Sequence, residues 1–103
     1  MHYFSLHSEA GAHLGFLVML PNDERAARSA QSGRFVVKLQ EGAEHPALEA
    51  LSALQNPDGS QTWEVANERV QLYAGGSPAG EIRQEFFRID GHTLVLNDMT
   101  GMV

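Results

Sequence analysis

The chain has 103 residues, no cysteine and a formal charge of −6 at pH 7. Its length supports one domain over residues 1–103 with a single core, and the lack of cysteine excludes disulfide and thiol chemistry and points to a cytoplasmic setting. The acidic balance disfavours direct nucleic-acid binding, no run reaches the roughly 18 apolar residues of a membrane helix, and Met1 to Ser5 lack the basic and apolar regions of a signal peptide.

His2 to Ser8 alternates, with Phe4 and Leu6 on one side and Tyr3, Ser5 and His7 on the other. Glu9 to Ala12 reads as a turn, and His13 to Leu20 returns as a strand apolar on both faces, which suits a central position. Pro21 ends it. Asn22 is a good N-cap, with Asp23 and Glu24 in a first helical turn, and the Ala-rich stretch to Ser32 closes at Gly33. Arg34 to Gln40 alternates as a strand. Pro46 fits a first helical position, Leu48, Leu51 and Leu54 form an apolar stripe, and Asn56-Pro57 stops that second helix.

Beyond Pro57-Asp58-Gly59 the period changes to two. Trp63 and Val65 are in phase, Asn67-Glu68 is a turn, and Val70, Leu72 and Ala74 alternate with Gln71 and Tyr73. The Gly75–Gly80 segment reads as a flexible loop, followed by one strand from Ile82 to Ile89. Asp90-Gly91 between apolar runs is a strong hairpin signal, because both central residues of a type I′ turn need positive φ. That turn sets Ile89 opposite His92, Arg88 opposite Thr93, Phe87 opposite Leu94 and Phe86 opposite Val95. The resulting expectation is an α+β fold with a largely antiparallel sheet of about seven strands, order β-β-α-β-α-β-β-β-β, carrying two short helices. The run Phe86 to Leu96 resembles the aromatic-x-Ile-Asp-Gly-x-Thr-Leu hairpin of small lipocalin-like and other meander proteins, but two helices in the first half do not suit a lipocalin barrel.

No catalytic motif stands out, and neither a metal nor a cofactor is implied. A four-residue first loop would pair His7 with Leu14 and send His7 and His13 to opposite faces, so they could not share a metal; none of the five histidines falls at a ligand spacing. Glu81 and Glu85 share a strand face with Arg83, and Glu85 reads as solvated rather than as a buried acid. The Gly75–Gly80 loop precedes a strand and lacks Gly-Lys-Ser/Thr, so it is not a phosphate loop.

Two features point to a protein partner. Between Lys38 and Arg69 there is no basic residue, and six acids fall in that gap: Glu41, Glu44, Glu49, Asp58, Glu64 and Glu68. Such a surface suits a basic partner, or simply solvation. On the second face of the C-terminal meander, Tyr73, Phe86, Arg88 and Val95 make a mixed patch of the kind found at interface hot spots. The expected function is therefore a small inhibitor, immunity or adaptor protein that contacts its partner through Glu41, Glu44, Glu64, Glu68, Tyr73, Phe86, Arg88 and Val95. The competing expectation is a small-ligand binder or cofactor-free enzyme, with a pocket lined by Tyr3, Phe16, Val18 and Phe35 and with His7 or Arg34 as polar handles. A third is a homodimer joined through an open final strand, Thr93 to Asn97.

Overall fold

The structure, a computed structural model, describes residues 2–21, 32–55 and 61–99. Eight antiparallel strands run in sequence order: β1 (His2–His7), β2 (His13–Pro21), β3 (Ser32–Leu39), β4 (Gln61–Ala66), β5 (Arg69–Ala74), β6 (Ser77–Arg83), β7 (Phe86–Ile89) and β8 (His92–Asp98). Each pairs with the next, and β8 returns to pair with β1 from His7↔Val95 to Phe4↔Asp98, closing a barrel. Among the described residues there is one helix, α1 (Leu48–Ser52), between β3 and β4.

This overturns the α+β expectation. The first expected helix falls mainly on residues 22–31, outside those described, while its last residue, Ser32, and its expected cap, Gly33, are strand. The second forms but is short, starting at Leu48 rather than Pro46. The strand expected from Ile82 to Ile89 is two strands, because the chain reverses at Gln84-Glu85. The Gly75–Gly80 loop shrinks to a two-residue turn, with φ of 61° at Gly75 and 84° at Gly76, and Ser77 onward is β6. The barrel also has no open final strand to template a dimer, since β8 is paired on both sides.

Short turns dictate the second half. Asn67 and Glu68 (φ 51° and 66°), Gly75 and Gly76, and Asp90 and Gly91 (φ 49° and 77°) all adopt the positive φ of type I′ turns, whose twist matches that of the strands they join. The Asp90-Gly91 turn fixes the register read from the sequence, from Ile89↔His92 to Phe86↔Val95.

An eight-stranded barrel leaves an interior that side chains can just fill. Leu6, Leu17, Phe35, Val37, Leu72, Phe87 and Leu94 are completely buried there, with Met19, Trp63, Ile82, Ile89 and Leu96 nearly so. Outward positions include the exposed charges Arg34, Lys38, Glu64 and Arg88, so this part of the wall is polar outside and apolar inside, the reverse of a membrane-spanning barrel. Among the described residues no helix is long and apolar enough to cross a membrane.

Among the described residues the wall is thin between β3 and β4. β3 and β4 pair only from Ser32↔Glu64 to Arg34↔Thr62, leaving the later carbonyls of β3 without β4 partners. The segment carrying α1 fills that gap with Ala47, Leu51 and Leu54, all buried. The Gln61 side chain, 4% exposed, stitches the parts together by donating to the Phe35 carbonyl at 3.2 Å and to the Leu54 carbonyl at 2.9 Å. Buried backbone acceptors need such partners, so Gln61 replaces a missing ladder bond.

Candidate functional site

The beginning of β2 shows how the sequence shapes the outer surface. The register of β1 and β2 shifts between Leu6↔Gly15 and His7↔His13, which leaves Leu14 as the extra residue of a β-bulge. Leu14 turns inward, 1% exposed, while His13 stays outside beside His7. Gly15 is required because a Cβ there would lie 2.8 Å from Leu39 Cα and nearer still to the Lys38 carbonyl oxygen. Phe16 then projects outward, 41% exposed, and Leu17 inward, fully buried.

The bulge brings together residues that a regular hairpin would separate. The rings of His7 and His13 have centroids 5.2 Å apart, and the Phe16 ring meets His13 edge-on at 4.9 Å. His7 Nε2 lies 2.5 Å from Ser5 Oγ, and His13 Nδ1 donates to Gln40 Oε1. This corrects the sequence expectation that His7 and His13 occupy opposite faces. That expectation counted a four-residue loop and could not see the extra residue.

The cluster continues sideways around the wall. His7 is paired with Val95 and Val95 with Phe86, so an outward row runs Phe86, Val95, His7, His13 and on to Phe16 across four adjacent strands. Phe86 is 39% exposed. Beside it lies an open concavity of about 450 Å³ lined by Glu81, Arg83, Gln84, Phe86, Arg88 and Thr93. Arg69 Nη1 donates to Glu81 Oε2 at 3.0 Å on its border.

The other predicted site residues are dispersed. Phe86, Arg88 and Val95 do share the outer face of β7 and β8. Tyr73 also faces outward but is paired with Thr62 and Pro78 on another part of the wall. Glu41 and Glu44 follow β3 at the barrel end that carries the Gly75-Gly76 and Asp90-Gly91 turns. Glu64 lies toward the other end, and Glu68 sits in the Asn67-Glu68 turn there. The acidic gap in the sequence is thus split between the two ends and makes no single acidic face. Glu81 and Glu85 do not share a strand: Glu81 lies opposite Arg88, and exposed Glu85 sits in the reversal itself.

The residues proposed to line a ligand pocket are separated by the sheet itself. Tyr3, Phe16, Val18 and Arg34 lie on outward positions, whereas Phe35 is fully buried inside. A different concavity, about 500 Å³, lies between α1 and the β5–β6 and β7–β8 hairpins, with Ala50, Ala53, Leu54, Ala74 and Ala79 in its lining. Its polar lining groups are the carboxylates of Glu49 and Asp90, with no basic or nucleophilic side chain beside them.

Sequence reasoning places Phe16 in a pocket lining and the histidines as scattered surface groups, and misses that His7, His13 and Phe16 meet on one outer face. The available signal was the two-sided character of His13 to Leu20: the closed interior can accept one face of that strand, so the other must be displayed or covered.

No curated protein and no solved structure matches the chain. A family model described as HLGFF-containing, Neisseriales, does match, over residues 1–103. The five letters correspond here to His13-Leu14-Gly15-Phe16-Leu17, with leucine in the last, inward position where the description has a second phenylalanine. Its first and fourth members are the displayed His13 and Phe16, and its third is the glycine that lets β2 approach β3. The chain belongs to this HLGFF-containing family of the Neisseriales.

Proposed function

We propose that the chain is a small protein-binding module, of inhibitor or adaptor type, whose contact surface is the outer face from Phe16 to Phe86. The observation that carries this reading is the display of two phenylalanines, 41% and 39% exposed, on a barrel whose interior is already filled. Neither ring is needed for the core. Between them the wall carries His7, His13 and Val95, giving the mixture of aromatic, apolar and hydrogen-bonding groups that is enriched in interface centres. Arg83 and Arg88 supply a polar border beside Phe86.

The curvature of the wall limits how a partner can dock. The row from Phe86 to Phe16 crosses three of the eight strand intervals, more than a third of the circumference. A concave or loop-bearing partner reaches both rings, whereas a flat one reaches one of them. The charge of −6 steers a basic partner toward the barrel without requiring a continuous acidic patch.

A photo-crosslinking residue placed at position 16 or 86, compared with one at position 73, tests the proposal in the native host. A common partner captured from 16 and 86 but not 73, and lost on Phe16→Ser, supports it. Capture from all three positions alike, or from none, overturns it.

A further inference from the structure

We propose that His7 and His13 form a two-histidine site for a divalent first-row transition ion, Zn²⁺ or Cu²⁺, on the outside of the β1–β2 hairpin. Their ring centroids are 5.2 Å apart, and both side chains are half-buried on paired strands, which holds the rings near one another while leaving them open to solvent. Each ring has one nitrogen already engaged. Gln40 Oε1 can only accept, so His13 Nδ1 carries the proton and Nε2 keeps its lone pair. Ser5 Oγ, whose residue is 6% exposed, lies against His7 Nε2, and in the tautomer that donates Nε2–H to this hydroxyl the Nδ1 lone pair is left for the ion. A metal-binding histidine characteristically donates its other N–H to a neighbouring oxygen, which fixes ring orientation and raises ligand basicity. Both rings have such a neighbour in place.

The second histidine pair is less well prepared. His45 and His92 have centroids 5.8 Å apart, and His45 Nδ1 accepts from the Ala47 N–H at 3.0 Å, but no neighbour orients His92 by a hydrogen bond among the described residues. Among the described residues no third histidine or carboxylate joins either pair, so the ion at His7 and His13 keeps positions open to water or to a ligand from a bound protein. Imidazole favours Zn²⁺ and Cu²⁺ over Mg²⁺ and Ca²⁺, with Cu²⁺ the tighter.

Calorimetric titration of the full chain with Zn²⁺, with imidazole ¹⁵N shifts followed by NMR, tests the site. The expected result is one saturable site at which both rings shift together, weakened at least about tenfold by His7→Ala or His13→Ala and about tenfold by Gln40→Ala. Gln40 is exposed, so that variant separates loss of ring orientation from loss of fold. The paired substitution His45→Ala with His92→Ala is expected to leave the site intact. No saturable binding, wild-type affinity in either His7→Ala or His13→Ala, or loss only in the His45/His92 variant overturns the proposal.

Discussion

Across β8, β1 and β2 the outward positions hold Tyr3, His7, Phe16, Val18 and Val95 among the polar Ser5, Thr93 and Asn97, whereas across β4, β5 and β6 they hold Thr62, Glu64, Gln71, Tyr73 and Glu81, with Val65 38% exposed at the end of β4. Inward, the two regions are alike: Leu6, Leu17 and Met19 in the first, and Trp63, Leu72 and Ile82 in the second, all buried. The interior is therefore set by what folding demands everywhere around the barrel. The outer surface is not, so the concentration of apolar and aromatic groups on one side has to be explained by something other than the core. The adjacent residues Phe86 and Phe87 express the same contrast within one strand, 39% and 0% exposed.

The largest effects are expected at two positions that serve the fold, one in the motif and one in the interior. Gly15→Val places a side chain against the Lys38 and Leu39 backbone, which cannot yield as a side-chain tip could. A loss of about 3 kcal/mol or more in urea unfolding is expected. Phe87→Ala leaves a cavity at a fully buried ring and is expected to cost about 3–5 kcal/mol. A Phe87→Ala cost below about 1 kcal/mol would mean that the barrel is not packed as described. The next effect is at the gap in the wall. Gln61→Leu removes the donor to the Phe35 and Leu54 carbonyls, and a loss of about 1–3 kcal/mol is expected, with faster amide exchange in the α1 segment.

How much of this was legible in the sequence depends on the range of the deciding interaction. Asp90-Gly91 and Asn67-Glu68 fix their turns locally, and the register at the first was readable residue by residue. Gln84-Glu85 has no such chemistry, and the reversal there was missed. A signal existed, however: Ile82 faces inward at an even position, while Phe87 and Ile89 do so at odd ones, a change of phase that a continuous strand cannot make. The bulge at Leu14 leaves no comparable mark, so a count of residues alone sends His7 and His13 to different faces. Closure of β8 on β1 joins the two ends of the sequence, a pairing that periodicity does not encode. The acidic gap illustrates the opposite error, since Glu44 and Glu68 are near in sequence but a β-meander carries them to opposite ends.

Outward rings should behave differently from inward ones. Phe16→Ser and Phe86→Ser are each expected to change stability by less than about 1 kcal/mol, while either weakens partner binding by about 2 kcal/mol, roughly thirtyfold. Denaturation and affinity measured on the same preparations separate the two quantities. Stability losses matching those of Phe87→Ala would make the exposed rings structural and remove the reason for assigning them to an interface.

On the polar side a stabilising change should be available without loss of binding. Glu68 occupies a type I′ turn at φ 66°, a conformation that costs a residue with a Cβ roughly 1–2 kcal/mol and glycine much less. The greater freedom of glycine in the unfolded chain offsets part of that gain, so Glu68→Gly is expected to stabilise by about 0.5 kcal/mol. The side chain is exposed and lines a small recess with Asn67, Arg83 and Gln84, on the far side of Arg83 from Phe86 and outside the row running to Phe16. If the interface is confined to that row, Glu68→Gly leaves affinity for the partner unchanged at physiological salt while raising the unfolding midpoint. A fall in affinity that shrinks as salt rises would instead place Glu68 in the contact, and the functional surface would then extend past Arg83 onto the polar half of the barrel.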